Sequence, residues 1–122
     1  MKLSANLGLL WSELPLLERV YKAKEKNFDA VEFQFPYEVD ANELKKAIDK
    51  INLPIIGINT IKGNVSKGDN GLNAVPSRVQ EARSAIDQAI EYAKVIGSKN
   101  IHFMCGITEQ NHNSLKTLVE NL

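Results

Sequence analysis

The stretch AVEFQFPYEVDANELKKAIDKINLPIIGIN, residues 30–59, decides the fold of this chain. Apolar side chains alternate with polar ones over residues 30–35, which predicts a strand with one buried face, and Pro36 ends it. A helix follows from Asp40, and its apolar side chains recur at spacings of three and four. Residues 55–59 then form a nearly continuous apolar run, which is typical of a strand covered on both faces. Strand, helix and strand in this order predict a βαβ unit with two parallel strands.

The same alternation of strand and helix signals continues outward in both directions from this unit. The predicted strands cover residues 3–7, 30–35, 55–59 and 101–105, and the predicted helices cover residues 15–26, 40–51, 76–96 and 115–122. The order β-α-β-α-β-α-β-α predicts an α/β fold, with parallel strands joined by right-handed crossovers and helices on at least one face. Residues 60–75 form a long glycine-containing segment, and a loop of that length in a compact domain is usually functional or mobile.

Length and charge limit the classes of function. The chain has 122 residues, 15 basic and 15 acidic side chains and 43% apolar residues, which is typical of one soluble domain and excludes a second one. The formal net charge of zero argues against nucleic-acid and polybasic membrane partners. No apolar run approaches the roughly 20 residues that span a bilayer. We therefore expect neither nucleic acid nor membrane as a partner.

The single cysteine and the N-terminal segment bear on the compartment. Cys105 cannot form an internal disulfide, which favours a reducing compartment. The segment from Leu3 to Trp11 resembles the apolar core of a signal peptide, but Ser4 and Asn6 interrupt it and no small-x-small cleavage site follows. We therefore expect a cytoplasmic protein.

Polar residues occupy one face of every predicted strand, opposite the apolar side chains. They are Asn6 in the first strand, Glu32 and Gln34 in the second, Asn59 in the third and His102 in the fourth. A parallel sheet with helices on both faces would bury them, whereas in a barrel that face is the interior, where ligand-binding groups converge near the carboxyl ends of the strands. The barrel interpretation therefore explains the polar set better.

Each of these candidates also has a purely structural explanation. Glu32 inside a sheet is costly unless it belongs to a site or pairs with Lys or Arg from its surroundings. Asn6 and Asn59 could be caps at strand ends, and His102 could be a hydrogen-bonded core residue. No phosphate-binding glycine motif, zinc-ligand spacing or nucleophile motif accompanies them. The residues alone therefore indicate little chemistry.

Several short motifs occur in one register along the chain. They are Ser4-Ala5-Asn6-Leu7, Val31-Glu32-Phe33 with Pro36-Tyr37, Asn59 followed by Gly63, Pro76 to Arg78, Ala89 to Ala93 with Gly97, and Leu118 to Leu122. Their combination resembles the N-terminal half of hydroxypyruvate isomerases, members of the xylose-isomerase-like barrel superfamily. The resemblance implies a (β/α)8 TIM barrel, of which residues 1–122 supply four βα units, or half.

The resemblance also implies an activity. Hydroxypyruvate isomerases interconvert hydroxypyruvate and tartronate semialdehyde by an aldose–ketose proton transfer, for which a metal polarises the carbonyl and carboxylates move the proton. The family's catalytic glutamates and metal ligands lie on later strands, beyond Leu122. The resemblance therefore implies no catalytic residue and no cofactor in this chain, and a divalent metal would belong to the full-length barrel.

Substrate binding is what the resemblance implies for the positions that are present. It assigns Asn6, Glu32 and Asn59 to the substrate side of the strand ends, and Arg78, at the start of the third helix, to an anion-facing position. His102 completes the candidate binding set. The expected ligand of a completed barrel is a small hydroxy-keto acid or a sugar.

Three hypotheses account for this combination. The first is a truncated hydroxypyruvate isomerase-like protein, the first half of a sugar isomerase, that is inactive alone. The second is a non-catalytic half-barrel that closes by homo-oligomerisation or by pairing with a complementary fragment, because four parallel strands leave open edges. The third is a flavodoxin-like binder of small ligands, which predicts helices on both faces of the sheet.

Overall fold

The computed structural model describes residues 1–122 and contains all eight predicted strands and helices. The strands are β1 (Ser4–Asn6), β2 (Ala30–Glu32), β3 (Ile55–Asn59) and β4 (Ile101–His102), and the helices are α1 (Leu16–Glu25), α2 (Ala41–Ile51), α3 (Val79–Ile96) and α4 (His112–Asn121). Two short 3₁₀ turns, Val65–Lys67 and Pro76–Arg78, lie between β3 and α3. The predicted alternation of strands and helices is confirmed.

The four strands form one parallel sheet in the order β1-β2-β3-β4. Each helix packs beside the next one along the chain, α1 on α2, α2 on α3 and α3 on α4, so the helices form a single layer. A doubly wound fold would reverse the strand order and place helices on both faces. The flavodoxin-like alternative is therefore wrong, and the structure is a partial barrel of four βα units.

The core lies between the sheet and the helix layer. Its buried side chains include Ala5, Leu7, Val31, Phe33 and Ile58 from the strand segments and Val20, Leu44, Ala47, Ile48, Ala89, Ala93 and Ile96 from the helices. Because successive strand residues point to opposite faces, the polar residues between them point away from the helices. β3 was predicted to be covered on both faces, but helices cover only one, and its other face lines an open cleft.

Local sequence signals determine where the helices begin and end. The Asp40 carboxylate accepts hydrogen bonds from the backbone nitrogens of Asn42 and Glu43, at 2.9 and 3.1 Å, and so caps α2 as predicted. Asn52 and Gly97 end α2 and α3 in the left-handed conformation, with φ of 51° and 76°. The first turn of the predicted third helix is a 3₁₀ turn instead of regular α-helix.

β4 is shorter than predicted because the loop between β3 and α3 uses part of its backbone. The Met104 carbonyl accepts hydrogen bonds from the amides of Leu72 and Asn73, at 3.0 and 3.1 Å. Gly71 and Cys105 form an isolated antiparallel bridge beside them. The end of the predicted strand therefore anchors the loop and does not extend the parallel sheet.

α4 turns its polar side toward the protein. Its buried residues are Ser114, Thr117 and Asn121. The Asn121 side-chain amide donates a hydrogen bond to the Asn73 carbonyl at 3.0 Å, which satisfies part of this polar face. The apolar stripe predicted for this helix is Leu115, Leu118, Val119 and Leu122. Leu118 is half-buried, whereas Leu115, Val119 and Leu122 are exposed by 61%, 64% and 72%. The stripe predicted the helix correctly, but it did not predict which face of the helix is buried. Among the helices of the structure, none has both the length and the hydrophobicity that a membrane span needs.

Candidate functional site

The helix-free face of the sheet forms an open cleft of about 590 Å³. Its polar lining residues are Asn6, Glu32, Gln34, Asn59, Asn100 and His102. Four of them, Asn6, Glu32, Asn59 and His102, are the last residues of their strands. The structure therefore brings four of the five predicted site residues together at the carboxyl edge of the sheet, where α/β folds bind their ligands.

Strand register arranges these side chains as two neighbouring pairs. Asn6 lies opposite Glu32 on β1 and β2, and Asn59 lies opposite His102 on β3 and β4. Adjacent strands are about 4.8 Å apart, so the members of each pair are close neighbours. A register shift aligns Glu32 with Gly57, so no side chain of β3 stands beside the carboxylate at that level.

Glu32 is the one carboxylate of the cleft. It is half-buried, and it forms no ion pair and no hydrogen bond through its side chain within the chain. Both carboxylate oxygens are free to accept hydrogen bonds from the hydroxyl groups of a ligand.

Asn6 and His102 differ in how far the chain itself occupies them. The Oδ1 of Asn6 accepts a hydrogen bond from the backbone nitrogen of Gly8 at 3.0 Å, so Asn6 is a strand-end cap as well as a lining residue. His102 is exposed and forms no hydrogen bond through its ring. The interpretation of His102 as a hydrogen-bonded core residue is therefore wrong, and its imidazole is open to a ligand.

A pair of tyrosines holds the end of β3 in place. The Tyr37 hydroxyl donates a hydrogen bond to the Asn59 carbonyl, and its ring meets the ring of Tyr92 edge to face, with 5.2 Å between centroids. The Tyr92 hydroxyl lies 2.8 Å from the Val39 carbonyl oxygen. Burial raises the pKa of Tyr37 above its ordinary value and the pKa of Tyr92 to about 12, so both hydroxyls remain protonated donors at neutral pH. The position of Asn59 at the cleft is thus fixed through its backbone.

Arg78 lies outside the cleft and is paired within the chain. Its guanidinium lies 2.5 Å from Asp69 and 2.7 and 2.9 Å from Glu81. These hydrogen bonds, the Glu81 pair first, raise the pKa of Arg78 above its already high ordinary value. Arg78, predicted to face an anionic ligand, therefore pairs with two carboxylates of the chain itself. Its pair with Asp69 links the loop between β3 and α3 to the start of α3.

Acid should loosen this loop, because the ion pair between Asp69 and Arg78 needs an ionised carboxylate. The hydrogen bond from Arg78 holds the pKa of Asp69 below its ordinary value. The stabilisation is then complete above the pKa of an unfolded aspartate, about 3.9, and is lost as the pH falls through the lower folded value. When the pH is lowered below about 4, we expect the hydrogen-exchange protection factors of the loop amides to decrease in the wild type.

The matched variants for this experiment are Asp69→Asn and Asp87→Asn. Asp69→Asn should already show the low protection at neutral pH and lose the acid-dependent step. Asp87 is exposed on α3 and forms no ion pair, so Asp87→Asn should behave like the wild type. Equal protection of the loop in wild type and Asp69→Asn at neutral pH would contradict the role of the pair.

The metal that the family resemblance implies does not fit the residues present. No group of three or more His, Cys, Asp and Glu side chains lies close enough together to hold a metal ion. The cleft contains one carboxylate, Glu32, and one imidazole, His102, among amide side chains. These groups can bind and orient a polar ligand, and they do not form a divalent-metal site by themselves.

Two lining residues, Gln34 and Asn100, are absent from the predicted substrate-binding set, although Gln34 is among the polar strand residues predicted to face the barrel interior. Gln34 follows Glu32 by two positions and so shares its strand face, which the alternation already indicated. Asn100 precedes His102 by two positions, and its side-chain amide donates to the Ile56 carbonyl at 2.6 Å. The same spacing of two could have found Asn100, although it stands before the apolar run that defines β4.

Known proteins resemble this chain in sequence and in structure. Residues 20–122 match the family model described as xylose isomerase-like TIM barrel. The 2-oxo-tetronate isomerase of Haemophilus influenzae is 38% identical over 89% of this chain and 42% of its own length. The hydroxypyruvate isomerase of Escherichia coli is 37% identical over 100% of this chain and 48% of its own length.

A solved structure extends the match to three dimensions. The crystal structure of AP endonuclease, family 2, from Brucella melitensis superposes with a TM-score of 0.91 and 35% identity, over 99% of this chain and 48% of that one. The chain thus spans about half the length of the relatives it matches. Four consecutive parallel βα units are half of a (β/α)8 barrel, and by both sequence and structure the chain belongs to the xylose isomerase-like TIM barrel family.

Proposed function

We propose that this chain is the substrate-lining half of an isomerase that acts on a small hydroxy-keto acid such as hydroxypyruvate or 2-oxo-tetronate. The observation that carries the proposal is the cleft in which Asn6, Glu32, Asn59 and His102 converge at the strand ends. Two relatives that bear these names match the chain over most of its length. Substrates of barrel enzymes bind at this edge.

The cleft supplies groups that would hold such a substrate. The Glu32 carboxylate accepts hydrogen bonds from hydroxyl groups, and the amides of Asn6 and Asn59 donate to carbonyl or hydroxyl oxygens. An aldose–ketose shift moves a proton between adjacent carbons, so the carbonyl and hydroxyl oxygens must be held in one orientation. The family resemblance assigns the proton-transferring glutamates and the metal ligands to later strands, so we expect the isolated chain to be inactive.

Fragment complementation tests this proposal. The chain is purified alone and together with the C-terminal half of the Escherichia coli hydroxypyruvate isomerase, and conversion of hydroxypyruvate is measured with added divalent metal. We expect no turnover by the chain alone and turnover by the assembled pair. Within the pair, Glu32→Gln should reduce kcat/KM, whereas Glu38→Gln, at an exposed position after β2, should leave it unchanged.

The outcomes separate the parts of the proposal. Robust turnover by the isolated chain would overturn its inactivity, and an assembled pair that folds but converts neither hydroxypyruvate nor 2-oxo-tetronate would overturn the isomerase function. Equal kcat/KM for Glu32→Gln and the wild type would remove Glu32 from the substrate site.

A function on DNA has less support. The relative from Brucella melitensis carries the name AP endonuclease. Binding to the phosphate backbone needs a positively charged surface, whereas this chain has a formal net charge of zero.

A second candidate function is that of a non-catalytic half-barrel that pairs with itself. The observation that favours it is the exposed apolar stripe of α4, with Leu115, Val119 and Leu122 more than half exposed. β1 and β4 are also edge strands, which can pair with another chain. Sedimentation velocity across a concentration series is the test: self-pairing predicts a dimer, and a well-folded monomer at the highest concentration would exclude it.

A further inference from the structure

The loop after β3 carries one cation to the carboxyl edge of the sheet. Lys62 follows Asn59 by three residues, is half-buried, and its Nζ lies 4.8 Å from the centroid of the Phe35 ring. An ammonium within about 6 Å of an aromatic centroid is attracted by the negative face of the ring. The flexible lysine side chain therefore has a preferred position over the end of β2.

The ammonium of Lys62 is free, whereas the arginines near this edge are occupied. Arg78 pairs with two carboxylates, and Arg19 donates to backbone carbonyls of the segment between β1 and α1. Lys62 forms no ion pair and no side-chain hydrogen bond. All three of its N–H donors are therefore available to an anion.

Two backbone contacts hold the chain segments that carry Phe35 and Lys62 near the cleft. Phe35 directly follows Gln34, which lines the cleft, and the Gln34 carbonyl accepts a hydrogen bond from the backbone nitrogen of Asn59 at 3.0 Å. The Lys62 carbonyl accepts a hydrogen bond from the Gly71 amide at 2.8 Å, which holds the lysine backbone in the anchored loop. Lys62 does not itself line the cleft, and its charge lies over Phe35 at the carboxyl edge of the sheet, one residue beyond the cleft-lining Gln34.

We propose that Lys62 binds the carboxylate of the substrate and so makes the site selective for keto acids over uncharged sugars of the same size. The inference rests on the proposed function, since hydroxypyruvate and 2-oxo-tetronate both carry a carboxylate beside the keto group. Lys62 binds the end of the molecule that does not react, while the polar residues of the cleft hold the hydroxyl and carbonyl oxygens. Without Lys62, the free carboxylate of Glu32 would repel an anionic substrate.

The test measures direct binding of small ligands to the full 122-residue chain by ligand-observed NMR. Hydroxypyruvate is compared with dihydroxyacetone, in which an uncharged hydroxymethyl group replaces the carboxylate. We expect Lys62→Met to weaken hydroxypyruvate binding about tenfold, the size of effect of a charge-assisted hydrogen bond, and to leave dihydroxyacetone binding unchanged. Lys67→Met is the matched control, because Lys67 is exposed in the same loop, and it should bind both ligands as the wild type does.

Three results would overturn the inference: the wild type does not bind hydroxypyruvate, wild type and Lys62→Met bind it equally, or Lys62→Met weakens the binding of both ligands equally. The last would mean that Lys62 acts through the packing of Phe35 and not through its charge. The outcome is separable from that of the complementation assay. Turnover with a KM that Lys62→Met does not change refutes only the role of Lys62, whereas charge-dependent binding without turnover by the assembled pair refutes only the isomerase.

Discussion

Replacing Gly71 with alanine is expected to lower the free energy of unfolding by about 3 kcal/mol, whereas the same replacement at Gly68 should cost only about 1 kcal/mol. Both glycines have positive φ, 114° and 88°, so both replacements strain the backbone. The two positions differ in the free space around the glycine Cα. A methyl group on Gly68 would meet nothing within 4 Å, whereas one on Gly71 would lie 2.6 Å from the backbone nitrogen of Gly106 and overlap the Met104 carbonyl.

Urea unfolding followed by circular dichroism measures this difference. The two variants share the loop, the residue change and the sign of φ, so the contrast isolates the close approach of the loop backbone to the chain after β4. Gly106 is the reciprocal partner, since a methyl group there would overlap the Gly71 carbonyl. Equal losses at Gly71 and Gly68 would show that the two backbones are not in contact.

Leu44→Ala is expected to cost about 3 kcal/mol, because Leu44 is fully buried between α2 and the sheet. Removing three carbons there loses their burial and leaves a cavity that the neighbouring side chains fill only in part. The matched control is Leu115→Ala on α4, where the leucine is 61% exposed and the cost should stay below about 0.5 kcal/mol.

Thermal and urea unfolding of both leucine variants decides two questions at once. A small loss for Leu44→Ala would contradict the placement of the core between sheet and helices. A loss for Leu115→Ala as large as that for Leu44→Ala would mean that the apolar stripe of α4 is covered in solution, and the loss should then depend on protein concentration.

The central βαβ unit could be predicted because its signals are local. The alternation around Glu32 and the capping carboxylate of Asp40 each act over a few residues. The cap is as expected, and the strand is present but ends at Glu32, three residues before the predicted end at residue 35. The sequence also predicted which residues line the cleft, because each strand carries a polar residue next to an apolar core residue, and adjacent strand residues point to opposite faces; these polar residues are Asn6, Glu32, Asn59 and His102.

The remaining features depend on segments that are distant in sequence. The end of β4 pairs with the loop through Met104 and Leu72, and α4 is oriented by the bond from Asn121 to Asn73. Neither contact produces a periodic pattern of apolar residues in the sequence. The family resemblance assigns Arg78 to an anion-facing position, and its pairing with Asp69 could not be predicted, because Asp69 lies in a loop whose path the sequence pattern does not specify.

Consecutive strand order also bears on how the chain is made on the ribosome. Each βα unit packs on the unit synthesised just before it, so the sheet can grow strand by strand in the order of translation. Contacts between residues that are near each other in sequence form quickly, and N-terminal units generally fold first during synthesis. The hydrogen bond from Asn121 to Asn73 spans 48 residues, more than the pairing of any two neighbouring strands, so we expect it to form last. The loop between β3 and α3 therefore gains its bond to α4 only once α4 has left the exit tunnel.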